Sequence, residues 1–317
     1  MPRPAGLHAA ARRSAEAHGI HLPWLTMLAI AGLLLPRVAD AQSTGQGLRV
    51  DADASIRIVN LIGSTRVIGW DRDSVHVTGT PPEGGGSLLM GGGRRGVKVV
   101  VDGGAKPVVA GTALEVHVPS TARLWVKGAT ASIAVEGVRG EVEAGTVSGS
   151  ISVSGSPTLL TAESMEGDID IAAPAQVTRV RTAGGAITMR GATHDVSAVS
   201  VSGQVRFLDA SGIKNGRVES ISGPVTFNGS LAPRGRLELL THDAPIEIFF
   251  PQRPGATVEV SAHGGTVANR IPGVTSARGP GKSVHYVIGD GRARVVARSL
   301  KGDVTLRQKM PRPNASP

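Results

Sequence analysis

The chain has 317 residues, with 34 Lys and Arg against 25 Asp and Glu, which gives a net charge of +9 when histidine is neutral. It has no cysteine, which excludes disulfides, thiolate metal sites and a cysteine nucleophile. Aromatic residues make up 3% of the chain, while glycine contributes 43 residues. The core must therefore be aliphatic, and a nucleic-acid surface that relies on stacking aromatic side chains is not expected.

Residues 1–41 have the pattern of a secretory signal peptide. Arg12 and Arg13 precede an apolar stretch at 22–35, and Ala39-Asp40-Ala41 supplies the small residues of a cleavage site. The stretch is about 14 residues long, whereas a bilayer span needs roughly 20, so we predict no transmembrane span after cleavage. Four of the 34 basic and two of the 25 acidic residues lie in this leader, which leaves a mature excess of seven positive charges. We expect an exported protein, periplasmic or extracellular and associated with the cell envelope.

Residues 48–307 are predicted to form one β-rich domain, after a short linker at 42–47 and before a disordered tail at 308–317. Residues 81–96 contain a Pro-Pro pair and two Gly-Gly-Gly runs, a composition typical of a flexible loop. A phosphate-binding glycine loop is not favoured, because neither a helix nor a Lys-Ser/Thr pair follows. After the leader no segment shows an apolar period of 3.6 residues, so no helix is predicted.

A fixed spacing of 18 residues dominates the middle of the domain. The glycines at this step are Gly149, Gly167, Gly185 and Gly203, and the equivalent positions at wider steps are Gly223, Ala244, Gly265 and, after an insertion, Gly302. A fixed period with one alternating strand after each glycine is typical of a solenoid. We predict an all-β fold, a β-solenoid or parallel β-helix-like array with 18–21-residue repeats and two short strands per repeat. The regular repeats cover about 124–270, and the last covers 284–307.

Each repeat carries its apolar residues at constant distances from the glycine, which we number position 0. In the Gly149 repeat, positions −7, −5, −2, +2 and +4 are Val142, Ala144, Val147, Ile151 and Val153. Period-two alternation predicts that these side chains point inward. Stacking of repeats then places Ile151, Ile169, Ile187, Val205 and Val225 in one inward column. The glycine itself is expected at a corner that requires a positive φ.

A hydroxyl residue precedes most corners at position −3. Its members are Thr146, Ser164, Thr182, Ser200, Ser220, Thr241 and Ser299. A hydroxyl at this place can bond the backbone of its own turn, which we expect. The alternative is a hydroxyl face for carbohydrate.

Asp168 and Asp170 are the sharpest candidate for chemistry. Alternate residues on one face of a strand lie roughly 6.6–7 Å apart, which fits the acid and base of an inverting glycosidase, and two carboxylates can also hold Ca²⁺. The neighbouring repeats carry no acid at the matching positions, which favours ordinary surface charge. Among these carboxylates and their neighbours, only Glu163 has an expected partner, Arg181, one repeat further on.

His242 and His263 both occupy position −2. If their repeats stack as neighbours, the two imidazoles meet at one corner. A two-histidine metal site with Asp243 and a packed histidine pair are the alternatives, and the packed pair is favoured. No Ser/His/Asp triad can be assigned from the order of these residues along the chain.

The corner motifs resemble those of a known family. They are Val201-Ser202-Gly203-Gln204-Val205, Ile221-Ser222-Gly223-Pro224-Val225 and Leu300-Lys301-Gly302-Asp303-Val304, and the opening Asn60-Leu61-Ile62-Gly63 with Gly69-Trp70-Asp71 is similar to that family's start. The family is the bacterial putative-adhesin, β-strand-repeat family of unknown function, and the resemblance covers about 48–307. It implies a secreted or envelope-associated β-solenoid and provides no catalytic residue.

The positive charge and the resemblance together favour a non-enzymatic interaction module of the envelope or cell surface, with no cofactor, no metal and no nucleic-acid partner. Its expected ligands are an anionic envelope polysaccharide or lipid headgroups, and another envelope protein is the further option. The candidate binding face consists of Arg179, Arg181, Arg190, Arg206 and Arg217, which lie in three successive repeats. The alternatives are a carbohydrate-active β-helix enzyme and a purely structural periplasmic scaffold.

Overall fold

The computed structural model describes residues 45–80, 86–103, 111–251, 255–278 and 283–309. All regular structure in these ranges is β, with 24 strands and no helix, so the prediction of an all-β protein is confirmed. No helix in the described ranges is therefore available to cross a membrane. The predicted leader lies outside them, as does most of the predicted tail.

The strands are, in chain order, β1 (Gln46–Arg49), β2 (Ser55–Val59), β3 (Gly63–Trp70), β4 (Ser74–Gly79), β5 (Ser87–Gly93), β6 (Gly96–Asp102), β7 (Thr112–Pro119), β8 (Arg123–Lys127), β9 (Ser132–Val138), β10 (Glu141–Gly145), β11 (Ile151–Gly155), β12 (Leu159–Ser164), β13 (Ile169–Ala172), β14 (Ala175–Thr182), β15 (Ile187–Ser200), β16 (Val205–Ser220), β17 (Val225–Thr241), β18 (Ile246–Phe250), β19 (Ala256–Ala262), β20 (Val267–Arg270), β21 (Ser276–Arg278), β22 (Ser283–Ile288), β23 (Ala293–Ser299) and β24 (Val304–Gln308).

Most strands belong to two parallel ladders. The first ladder holds the strands that precede a corner, in the spatial order β6, β2, β8, β10, β12, β14, the second parts of β15, β16 and β17, then β23 and β19. The second ladder holds those that follow a corner, in the order β7, β3, β9, β11, β13, the first parts of β15, β16 and β17, then β18, β24 and β20. Antiparallel strands extend both ends, as β5 on β6, β4 and β1 beyond β7, and β22 and β21 beyond β19.

The register of the second ladder follows the sequence spacing. Ile169 pairs with Ile151 on one side and with Ile187 on the other. Both Ile169 and Ile187 are at most 1% exposed, while Asp168 is exposed and Asp170 half-buried. The predicted inward column and the outward direction of the two aspartates are therefore confirmed. Parallel pairing at an offset of 18 residues therefore stacks these three isoleucines on one another.

At positions −3 and −2 the observed burial differs from the predicted set of inward side chains. The hydroxyls at −3 are buried, whereas the apolar residues at −2 are exposed, with Val147 at 47% and Met165 at 58%. The physical reason is a bend at −2 and −1. The amides of Met165 and Glu166 both donate to the carbonyl of Val147 in the preceding repeat, so the chain turns there and the alternation is interrupted.

The buried hydroxyls at position −3 bond their own corners, as predicted. The amide of Gly167 donates to Ser164 Oγ at 2.9 Å, and the amide of Gly302 donates to Ser299 Oγ at 2.8 Å. Ser200 instead donates to the carbonyl of Gly203 at 2.8 Å. Each of these hydroxyls forms a hydrogen bond with a backbone amide or carbonyl of the corner, which has no partner in the ladders.

Glycine is required at the corners because the backbone of the preceding corner lies very close, and not because the corner needs a positive φ. None of Gly149, Gly167, Gly185, Gly203 and Gly223 has a positive φ, so the expected left-handed corner is wrong. A Cβ at Gly203 would lie 1.8 Å from the carbonyl oxygen of Gly185, and the other four would meet the preceding corner at 1.9–2.1 Å. Successive corners stack so closely that only glycine fits without a shift of the backbone.

Three boundaries differ from the sequence prediction. Ser87–Gly93, inside the predicted flexible loop, forms β5 and pairs with β6, because Leu88 is buried against the core and the glycines allow the hairpin strands to approach. Residues 81–85 lie outside the described ranges. The predicted linker ends in β1, which pairs with β4, and the amide of Lys309, in the predicted tail, donates to the carbonyl of Phe250.

Candidate binding face

Two adjoining grooves follow the outward side of the first ladder. The larger, of about 700 Å³, crosses β6, β2, β8, β10 and β12. The other, of about 610 Å³, crosses β14 to β17 and β23. They meet where Leu159 pairs with Val177 and Thr161 with Arg179. We call this continuous surface the first-ladder face. It spans ten neighbouring strands, and at about 4.8 Å between strands its length is roughly 40 Å.

Arginine is the dominant charged residue of the groove over β14 to β23. The arginines that line it are Arg179, Arg217, Arg236, Arg294 and Arg298, against two carboxylates, Asp195 and Glu238. Arg236 and Arg294 are direct neighbours on paired strands, an arrangement in which like charges repel. An anion placed between them would relieve this repulsion.

The five arginines differ in how far they are already neutralised. Arg217 pairs with Glu219 and, at 2.8 Å, with Glu238. Arg294 and Arg298 both reach Glu259 at 3.1 Å. In the described ranges Arg179 and Arg236 have no ion-pair partner. These two exposed guanidiniums are therefore available for an external anion.

The predicted set of five arginines is divided between the two ladders. Arg179, Arg181 and Arg217 lie on the first ladder, in β14 and β16. Arg190 and Arg206 lie on the second, in the first parts of β15 and β16. A corner separates the two groups, because alternate strands of the repeat belong to different ladders. The structure thus does not bring all five together.

Arg236, Arg294 and Arg298 were not identified from the sequence. Arg236 and Arg294 both lie at position −8, before Ala244 and Gly302 respectively. An alignment of the repeats that included the residue before position −7 would have revealed this match. Their contact could not have been found in that way, because it depends on the pairing of β17 with β23.

Asp168 and Asp170 are both engaged by the neighbouring repeat. The amide of Ala186 donates to Asp168 Oδ1 at 2.8 Å. Arg190 Nη1 donates to both oxygens of Asp170 at 2.7 Å. The sequence prediction that only Glu163 would have a partner is therefore wrong, although Glu163 does face Arg181, at 3.8 Å. The described ranges contain no cluster of three metal-ligating side chains.

The two histidines at position −2 do not lie in adjacent repeats. The amide of Lys301 donates to the carbonyl of His242, and the amide of Gly264 donates to that of Leu300, so the Gly302 repeat lies between them. His242 instead contacts Asp243 at 2.6 Å, and Lys301 reaches the same carboxylate at 3.1 Å. Lys301 and His242 lower the pKa of Asp243. The expected histidine pair is absent because the last repeat inserts between the earlier ones.

Comparisons with known proteins find no matching family model and no matching curated protein. Among solved structures, a putative adhesin from Bacteroides fragilis is similar at 10% identity and a TM-score of 0.39, over 84% of this chain and 97% of that one. A putative adhesin from Parabacteroides distasonis matches at 13% identity and a TM-score of 0.36, over 85% and 98%. A putative cell adhesion protein from Clostridium sporogenes matches at 10% and 0.21, over 84% and 100%.

Glu259 limits the positive charge of the first-ladder face. Arg298 first, and then Arg294, lower the pKa of Glu259 through hydrogen bonds. Glu259→Gln is therefore expected to raise the affinity for an added polyanion, since it releases Arg294 and leaves Arg298 with the longer contact to Glu238, at 3.6 Å. Because the folded pKa is lowered, the carboxylate stabilises the fold above its unfolded pKa of about 4.3, and this contribution is lost as pH falls through the folded pKa.

Urea unfolding at pH 7 and at pH 3, together with titration by polygalacturonate, checks this expectation. The wild type should be more stable than Glu259→Gln at pH 7, and the difference should shrink at pH 3. Glu141→Gln is the matched control, since Glu141 lies on the same face with no ion-pair partner in the described ranges. Equal polyanion affinity of the two variants would contradict the role assigned to Glu259.

Proposed function

We propose that the chain is a β-solenoid of 18–21-residue repeats that acts as an exported, non-enzymatic interaction module of the cell envelope. Its ligand is an extended anionic polymer that lies along the first-ladder face. The observation that carries this proposal is the arginine-lined groove, in which Arg179 and Arg236 have no carboxylate partner in the described ranges and Arg236 adjoins Arg294.

The geometry of the face supports a long ligand in preference to a small one. The arginines lie on β14, β16, β17 and β23 of one ladder, so their strands are separated by multiples of about 4.8 Å. An arginine can bind a carboxylate or phosphate through two parallel hydrogen bonds. A polymer with regularly spaced anions can therefore contact several of them at once without closure of a cleft.

The pairing registers support the solenoid assignment. Offsets of 18 residues join Ile151, Ile169 and Ile187, and the step to Val205 is again 18. Beyond it the step to Val225 is 20, and the next, to Ile246, is 21. Each repeat contributes one strand to each ladder, which corresponds to two strands per repeat.

Contacts of the two aspartates support a non-enzymatic role. Arg190 occupies both oxygens of Asp170, and the backbone amide of Ala186 occupies one oxygen of Asp168. An acid and base pair for glycoside cleavage needs one carboxyl group that donates a proton and one that activates water. Here the two carboxylates instead tie neighbouring repeats together.

Charge reversal of the two unpaired arginines tests the function. Arg179→Glu with Arg236→Glu is expected to weaken binding of polygalacturonate roughly tenfold to a hundredfold, because two charge-assisted contacts are lost. Binding by the wild type should also weaken as salt screens the charges. Isothermal titration calorimetry at two salt concentrations measures both effects.

The matched control is Arg206→Glu with Arg270→Glu. Both arginines are exposed on the second ladder with no ion-pair partner in the described ranges, so the change in net charge is the same. An equal loss of affinity in the control would remove the first-ladder face as the site. Shortening of the polymer during incubation would instead establish the enzyme alternative, and no binding of any polyanion would favour a purely structural scaffold.

A further inference from the structure

The groove at the start of the first-ladder face contains an outward-facing tryptophan. Trp125 lies in the centre of a row of directly paired residues, with Arg57 on one neighbouring strand and Glu143 on the other. Lys98 extends the row beyond Arg57, and Thr161 extends it beyond Glu143. The indole is thus flanked by cationic donors on one side and by acceptors on the other.

The orientation of the indole is held by one hydrogen bond. Trp125 Nε1 donates to Glu143 Oε1 at 2.9 Å, which turns the ring across the neighbouring strand. Lys127 Nζ binds the same carboxylate oxygen at 3.1 Å and lies 5.3 Å from the ring centroid. The Lys127 side chain runs over Gly145, where a Cβ would meet it at 2.6–3.2 Å.

Trp125 differs from the other tryptophan that the structure describes. Trp70 donates to the carbonyl of Ser74 and packs against the ring of His117 at 4.9 Å. Trp125 instead lines an open groove, and within the described residues its ring nitrogen bonds the exposed carboxylate of Glu143. A large, rigid aromatic surface with two side-chain torsions offers contact area at a low cost in conformational entropy.

We infer that this groove binds a pyranose ring, so that the polymer on the first-ladder face is a polysaccharide. The inference rests on the proposed function, because the two grooves form one surface. The apolar C–H face of a sugar ring packs on the indole. Its equatorial hydroxyls donate to Glu143 and accept from Arg57 and Lys98, neither of which has an ion-pair partner in the described ranges.

The distance between Trp125 and the arginines allows one extended ligand to contact both. From Trp125 the paired row runs through Glu143 and Thr161 to Arg179. Three strand spacings therefore separate the indole from the first unpaired guanidinium, a distance of roughly 14 Å. One chain of linked sugars with acidic substituents can occupy both places, whereas a polyphosphate has no face to stack on the ring.

The test compares polygalacturonate with polyphosphate, using the wild type, Trp125→Ala and Trp125→Phe. Trp125→Ala is expected to lower the affinity for polygalacturonate about tenfold and to leave polyphosphate binding unchanged. Trp125→Phe should retain most of the sugar affinity. The difference in tryptophan emission between the wild type and Trp125→Phe should change when polygalacturonate is added, and should not change with polyphosphate.

The outcomes separate this inference from the proposed function. If the wild type binds both polymers and Trp125→Ala alters neither affinity, the sugar subsite is wrong while the polyanion face stands. If the wild type binds polyphosphate alone, the polymer is not a polysaccharide. If it binds neither, both proposals fail. The emission difference between the wild type and Trp125→Phe decides the question even if Trp125→Ala does not fold.

Discussion

Replacing Ile187 by aspartate is expected to abolish cooperative folding of the β domain. Ile187 is fully buried and pairs with Ile169 on one side and Val205 on the other. An unpaired charge in this column has no partner in an aliphatic core, and its burial costs several kcal/mol. That cost is a large part of the 5–15 kcal/mol by which proteins of this kind are stable.

Circular dichroism and urea unfolding measure the effect, with two controls on the same ladder. Ile187→Val is expected to cost about 0.5–1.5 kcal/mol, since it removes one methylene. Ala172→Asp places the same charge at an exposed position at the end of β13 and should be close to neutral. A cooperative transition for Ile187→Asp near that of the wild type would contradict the inward column.

Gly203→Ala is expected to destabilise the protein by about 1–3 kcal/mol, the range found for overpacked sites. Its Cβ would lie 1.8 Å from the carbonyl oxygen of Gly185, so the stacked corners must move apart. Ala244 occupies the equivalent position further along the chain, which indicates that a corner can accommodate the shift. The fold should therefore persist with a lower midpoint of urea unfolding.

Gly93→Ala is the matched control, because an added Cβ at Gly93 meets nothing within 4 Å and its φ is not positive. Its free energy of unfolding should stay within about 0.5 kcal/mol of the wild type. Equal effects of the two substitutions would show that the corner carbonyls do not limit the size of the residue. A gain in stability for Gly203→Ala would contradict the close approach itself.

The repeat pattern predicted the parts of the fold that depend on local order. Alternation of Ile151 and Val153 sets which side chains point inward, and the constant spacing sets which residues pair. The buried hydroxyl at Ser164 follows from the same positions, since a corner leaves a backbone amide to be satisfied. The exposed Val147 did not follow, because a bend of two residues changes the direction of a side chain without changing its hydrophobicity.

The candidate site could be predicted only in part. Composition indicated a basic surface, and Arg179, Arg181 and Arg217 do lie on one ladder. Arg190 and Arg206 lie on the other, because consecutive strands of a repeat join different ladders. The part played by Trp125 depends on the hydrogen bond from its ring to Glu143 on the next strand, which spacing alone does not specify.

The sequence by itself determined the all-β class, the inward column around Ile187 and the hydroxyl-capped corners, since each depends on neighbours within one repeat or exactly one period away. Only the tertiary structure decided the order of the terminal strands. In space β2 lies between β6 and β8, and β23 lies between β17 and β19. The inward residues of β19 and β23 have the same alternating pattern, so either could pair with β17. That choice brings Arg294 beside Arg236, and it is made by long-range pairing, which local periodicity does not encode.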